Sequence, residues 1–343
     1  MKIFVKAKSQ FKNNLPFVLF AKPNENQLNA YFQSDNELHK FINQSGFVFT
    51  SFEGLTKIVL PKENSAYFEE EIDFNLSFKS ESIQIPTLNE DKIHFENLVN
   101  NSVEAIKSGN FEKLVVSRKI DFSAGIDVFQ TYENLLNAYS TAFRYLFFHP
   151  KVGIWIGATP EQLIKINNDK FETVALAGTQ LYSNEVHWTS KEIQEQQFVT
   201  DYIISNCEEL ASTIEVSESF TVQAGKLAHI KTKIFGTISK ENEVALISKL
   251  HPTPAVCGLP KEKAKEFILK NEKYDRKFYA GYLGEWNINE TTNLFVNLRC
   301  MEIGKKNSIY VGCGITEDSV AENEFIETQN KSETIKNIII TKA

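Results

Sequence analysis

Along the first 85 residues, short apolar runs alternate with polar positions and are separated by Asn, Ser, Pro and Gly turns. KIFVKA, FVLFAK, FVFTSF and TKIVL read there as half-buried strands of an antiparallel sheet. From about Asn89 to Ser108 the period changes. Phe95, Leu98, Val99, Ala105 and Ile106 fall at helical spacing, and Gly109 stands where a C-terminal cap belongs. That helix delivers the chain to Lys113, after which strand patterns return in KLVVSRKI, VGIWIG, QLIKI and FETVALAG, interrupted by a helical stretch from about Val128 to Tyr139. Later strands read KLAHIKTKIFGTI, RKFYAGYLGEWNI, NLFVNLRCMEI and SIYVGCGI, joined by hairpin-like turns such as INETTN and GKKN. Three helices punctuate them: about Ser190 to Ala211, Pro260 to Asn271 opened by its proline, and about Ser319 to Ile340. Successive strands with short turns imply antiparallel pairing. The pattern predicts an α+β fold in which mostly antiparallel β-sheets are flanked by helices. It is expected to form a single large domain over residues 1–343, because no Pro/Gly/Ser-rich linker or low-complexity tract divides the chain. Residues 1–90 form its less specific, β-rich part, and the recognisable chemistry falls in 91–343.

Composition narrows the partners. A chain of 343 residues with 42% hydrophobic and 12% aromatic content can bury a large core. Its net charge of −7 argues against a nucleic-acid partner, which would meet a basic face. No run reaches the roughly 18 to 20 apolar residues of a membrane helix, so no membrane partner is expected. The first residues lack the apolar core of a secretory signal, and a cytoplasmic location is expected. Cys207, Cys257, Cys300 and Cys313 show no C-x-x-C spacing and read as reduced, mostly buried small hydrophobes.

Two helices place carboxylates where apolar residues belong. In the helix from Ser190 the inward stripe runs Val199, Ile203, Cys207 and Leu210, and four residues before Val199 stands Glu195. In the last helix, stepping back from Ile338 and Ile335 gives Lys331, Glu327 and Glu324. A buried carboxylate requires a cation or full hydrogen bonding. A salt bridge to Lys331, or helix ends open to solvent, would meet that need. So would a hard divalent cation held by one carboxylate from each helix plus water. Gly312-Cys313-Gly314 follows a strand but lacks the third glycine and the acidic residue of a dinucleotide site.

Several strings, in order, resemble the chorismate-utilising enzymes, which include isochorismate, salicylate, anthranilate and aminodeoxychorismate synthases. They are KLVVSRK (113–119), GATPEQL (157–163), ALAGT (175–179), KEIQEQQFV (191–199), HIKT (229–232), LHPTPAVCGLP (250–260), FYAGYLGEW (278–286), FVNLRC (295–300), YVGCGI (310–315) and ENEFIETQNK (322–331). The resemblance covers roughly the C-terminal two-thirds of the chain. It implies that Glu195 and Glu327 bind Mg²⁺, with Glu192 and Glu324 close by, and that Arg299 and Lys331 hold the carboxylates of chorismate. Gly312 and Gly314 would let backbone N–H groups approach the same molecule. Ala177, Gly178, Thr179, His229 and Thr232 are implied as further substrate contacts. His251 reads either as a catalytic group or as a loop-holding hydrogen-bonding residue.

For chemistry, the resemblance implies that water adds at C2 while the C4 hydroxyl leaves, with Lys113 as base and Glu161 as acid. Read without it, Lys113 is a strand-end lysine and Glu161 a turn carboxylate. Aminodeoxychorismate synthases carry a lysine where this chain has Ala177, and anthranilate-type enzymes lack the lysine base. Lys113 with Ala177 therefore points to water as nucleophile, to no amidotransferase partner, and to an Mg²⁺-dependent isochorismate synthase serving menaquinone or siderophore synthesis. Salicylate synthase shares both features and is the alternative; a non-catalytic chorismate-binding module is a third reading. Gln162, Gln180, Tyr282 and Cys313 depart from the usual family pattern.

Overall fold

The computed structural model describes residues 1–72, 83, 85–86, 88–183, 185–224 and 227–342. Two large sheets organise the described residues, and every strand pairing among them is antiparallel. The first joins Gly258–Leu259, Lys113–Phe122, Asn307–Ile315, Cys300–Ile303, Gly153–Thr159, Phe143–His149, Phe17–Ala21, Gln27–Gln33 and Ser65–Glu71, in that order. The second joins Ala211–Val216, Leu227–Ile238, Lys170–Leu181, Gln162–Asn167, Thr291–Val296, Tyr282–Ile288, Gly46–Thr50 and Lys57–Pro61, and Phe220–Ala224 pairs with Leu227–Ile238.

Strand periodicity explains how the core divides. In Phe17–Ala21, Val18 and Phe20 join one buried cluster while Phe17, Leu19 and Ala21 join another, so both faces of the first sheet are covered. The larger cluster lies between the sheets. Phe143 of the first sheet stacks on Phe295 of the second with ring centroids 4.3 Å apart, and Phe49 stacks on Phe278 at the same spacing. On the other face, the second cluster gathers residues of helices α1 (Lys2–Lys12), α3 (Val128–Ala138) and the last helix, α7 (Ala321–Lys336). The helices α2 (Asn89–Lys107), α4 (Ser190–Glu208), α5 (Glu243–Leu250) and α6 (Lys261–Asn271) complete the set among the described residues.

The sequence pattern misplaced some elements. KIFVKA is helical: Ile3, Phe4 and Ala7 are buried at a three-to-four spacing while Val5 is 70% exposed, which a strand would not give. Phe143–His149 is an unpredicted strand because it is buried throughout and shows no alternation. Ala211–Val216, Phe220–Ala224 and the helix Glu243–Leu250 were likewise unpredicted. RKFYAGYLGEWNI is strand only from Tyr282, with Ala280 at φ +59° in the turn before it. NLFVNLRCMEI breaks into two strands at Arg299, whose φ is +46°. Gly109, at φ +78°, follows α2 as its spacing predicted. The four cysteines are free and buried. Among the described residues no helix is long and apolar enough to cross a membrane.

Candidate active site

A cavity of about 340 Å³ opens where the Lys113 strand, the Asn307–Ile315 strand, α4, α7 and the turns at Glu161 and Arg299 converge. Lys113, Glu161, Ala177, Gly178, Glu192, Glu195, His229, Arg299, Gly312, Gly314, Glu327 and Lys331 all line it.

Lys113 enters the cavity from the first position of its strand, and its Nζ pairs with Glu195 Oε1 at 2.7 Å. Gly314 leaves the space this needs, since a Cβ there would lie 3.1 Å from Lys113 Cε. Gly312 is more constrained: a Cβ would come within 2.8 Å of both the Tyr279 hydroxyl and the Val116 carbonyl oxygen. The Gly312 carbonyl accepts a hydrogen bond from Lys331 Nζ at 3.0 Å, and that amine also pairs with Glu327 Oε1 at 2.6 Å.

Glu161 follows the end of the Gly153–Thr159 strand, where its N–H donates to Thr159 Oγ1 at 3.3 Å and its carbonyl accepts from Val296 N at 2.9 Å. Burial pushes its pKa up to about 7. Lys113, the Thr253 hydroxyl, Lys331 and Arg299 oppose that rise without cancelling it. Arg299 sits in the left-handed backbone region, a strained placement, and lines the cavity. Burial lowers its pKa, opposed by Tyr139 and Glu161, and an arginine remains charged under that shift. His229 Nδ1 donates to the Gly178 carbonyl at 3.0 Å, across a register shift between Ala177 and Gln180. Burial lowers its pKa, so the neutral ring is favoured.

The carboxylates differ in what holds them. Glu195 and Glu327 each face the cavity and are each neutralised by a lysine. Glu192 forms a capping box with Thr189, accepting from Thr189 N at 2.9 Å, and Gln180 Nε2 donates to the same carboxylate. Glu324 stands behind the cavity wall. Burial and the neighbouring Glu327 raise its pKa, while Ser319 and Cys313 hydrogen-bond to it. Among the described residues, no three His, Cys, Asp or Glu side chains converge as a closed metal cage. The donors nevertheless suit magnesium, which binds through one or two carboxylates and completes its shell with water and substrate oxygens. Glu195 and Glu327, hard oxygen donors on one cavity, fit it.

Thr232 is not brought to the site. It is 4% exposed and accepts a hydrogen bond from Gln196 Nε2 at 2.9 Å, beneath α4, because its strand position points toward the helix. The Thr179 side chain lies outside the described residues. His251 is buried, with Nε2 against the carbonyls of Ser51 and Phe52, and burial lowers its pKa to about 3. It holds a loop. Sequence reasoning missed Tyr279, Leu298, Val256 and Thr316 on the cavity wall. Tyr279 was signalled only by lying inside a family string.

Comparison with known proteins gives the same direction. A family model described as "Chorismate binding enzyme" matches residues 50–340. Isochorismate synthase MenF of Escherichia coli K12 is 24% identical over 262 residues, 73% of this chain and 61% of that protein. Anthranilate synthase component 1 of Saccharolobus solfataricus is 28% identical over 283 residues, 78% of this chain and 65% of that protein. The chain therefore spans less than two thirds of the length of these curated relatives. Among solved structures, a putative 2,3-dihydroxybenzoate-specific isochorismate synthase, DhbC from Bacillus anthracis, superposes with a TM-score of 0.77 at 22% identity, covering 97% of this chain and 98% of that one. The Escherichia coli MenF structure gives 0.80 at 18% identity, covering 94% and 88%. At such identities the structural likeness shows the fold.

Proposed function

The chain belongs to the chorismate-binding enzyme family, and from that premise we propose that it is an isochorismate synthase. The observation that carries the reading is that an amine, Lys113, and a carboxyl that titrates near pH 7, Glu161, share one cavity with the cations Arg299 and Lys331. Arg299 and Lys331 would receive the two carboxylates of chorismate. Lys113 takes a proton from the water that adds at C2, and its pair with Glu195 must open for the amine to do so. The ring double bonds shift, the C4–O bond breaks, and Glu161 passes its proton to the departing oxygen, which leaves as water. One water enters and one leaves, so product and substrate are isomers. Glu195 and Glu327 would hold Mg²⁺, with Glu192 and Glu324 in support. The bound ion would anchor a substrate carboxylate and offset its charge. Water as nucleophile requires no amidotransferase partner, and Ala177 in place of a lysine supports that choice.

The test is chromatography of the products formed from chorismate and Mg²⁺ without ammonia. Isochorismate is the expected product. Absence of turnover, or anthranilate appearing once ammonia is supplied, would overturn the reading. Pyruvate release, read with lactate dehydrogenase, would instead make it a salicylate synthase. Lys113→Gln should abolish conversion, and an unchanged rate would dismiss the base.

A further inference from the structure

The turn after His251 closes the cavity beside Glu161. Val256 N and Cys257 N donate to the Thr253 carbonyl at 3.1 and 3.0 Å, which sets Ala255 and Val256 on the cavity wall with Thr253 behind them. The Thr253 hydroxyl oxygen is sealed from solvent and makes no hydrogen bond of full geometry with any protein group. Buried polar atoms in native folds are nearly always satisfied, so this one calls for an explanation. Its neighbour is the Glu161 carboxyl.

That carboxyl is also faced by Lys113 from its strand, Lys331 from α7 and Arg299 from the turn before Cys300. Three cations attract its anion but do not select which of its two oxygens carries the proton. A hydroxyl donor does select, because it bonds more strongly to the unprotonated carbonyl oxygen than to the O–H oxygen. We propose that Thr253 is a positioning residue whose hydroxyl donates to one oxygen of the Glu161 carboxyl, so that the acid's proton rests on the other, cavity-facing oxygen. The inference rests on Glu161 being the acid of the proposed reaction. The proton then points at the leaving hydroxyl, and after its transfer the new carboxylate meets a donor already in place. Catalytic hydrogen bonds of this kind commonly tighten as the reaction proceeds.

Thr253→Val removes the hydroxyl and keeps the shape; Thr253→Ser keeps the hydroxyl. Two readings are made on each. The first is infrared titration of the Glu161 carboxyl band in substrate-free protein, assigned by its absence from Glu161→Gln. The second is kcat and KM for chorismate against pH. In Thr253→Val the band should titrate at higher pH, and the profile limb near pH 7 should move with it. Its kcat should fall about tenfold to a hundredfold while KM moves less than about twofold. Thr253→Ser should restore all of these. A folded Thr253→Val with unshifted titration would overturn the proposal, as would a fall in kcat matched by a rise in KM or a serine variant that restores nothing. Should the valine variant not fold, Thr253→Ala carries the same readings. The infrared titration needs no turnover, so failure of the contact and failure of the proposed activity are distinguishable.

Discussion

Glu161 shows how burial resets a single carboxyl. Its native pKa of about 7 lies above the ordinary 4.5, so the folded protein holds this proton more tightly than the unfolded chain does. The sign follows: below about pH 4.5 the group costs nothing, and stability is lost as pH rises toward 7, where the buried charge must form. Glu161→Gln should therefore be more stable than the parent at pH 8 by about 3 kcal/mol, and equal to it at pH 4. Urea unfolding at both values checks this. The same variant should lose turnover by about 10² to 10⁴. Residue types were the most legible part of the site, since Lys113, Glu161, Glu195, Arg299, Glu327 and Lys331 all line one cavity. Thr253 and Tyr279 were not legible, because a hydroxyl acquires meaning only from the atom beside it.

At the level of elements, periodicity succeeded where one face of an element is buried and failed where both or neither are. The stripe Val199, Ile203, Cys207 is buried to 2%, 2% and 0% exposure, so α4 could be read and Glu195 located one turn before it. The same stripe gives a stability prediction. Ile203→Ala should cost about 2 to 5 kcal/mol, whereas Ile193→Ala on the same helix, at 55% exposure, should stay within about 0.5 kcal/mol. Denaturant titration of the two variants separates them, and equal losses would mean that α4 is held by something other than its stripe. The Phe143–His149 strand shows the opposite case. It is buried on both faces, Arg144 and His149 included, so it lacks the alternation that announces a half-exposed strand. Lys2–Lys12 misled for a different reason: over six residues an alternating and a helical pattern share most positions.

At the scale of the molecule, the cavity carries its own countercharges. The ion pairs Lys113–Glu195 and Lys331–Glu327 neutralise the proposed metal carboxylates with no ion between them. Chelation of divalent ions should therefore abolish turnover and leave circular dichroism unchanged, with activity returning on addition of Mg²⁺. Loss of the folded signal on chelation would show instead that the ion is structural. The connectivity has a further consequence for anyone dividing this chain. Phe17–Ala21 is hydrogen-bonded to Phe143–His149, Gly46–Thr50 to Tyr282–Ile288, and the buried guanidinium of Arg144 donates to the carbonyls of Lys22 and Glu25. The segment without recognisable chemistry thus supplies a neighbour to both sheets. A fragment starting near residue 90 would bare two long apolar strand flanks, which invites amyloid-like stacking, so a minimal version or a chimera has to carry the opening segment along.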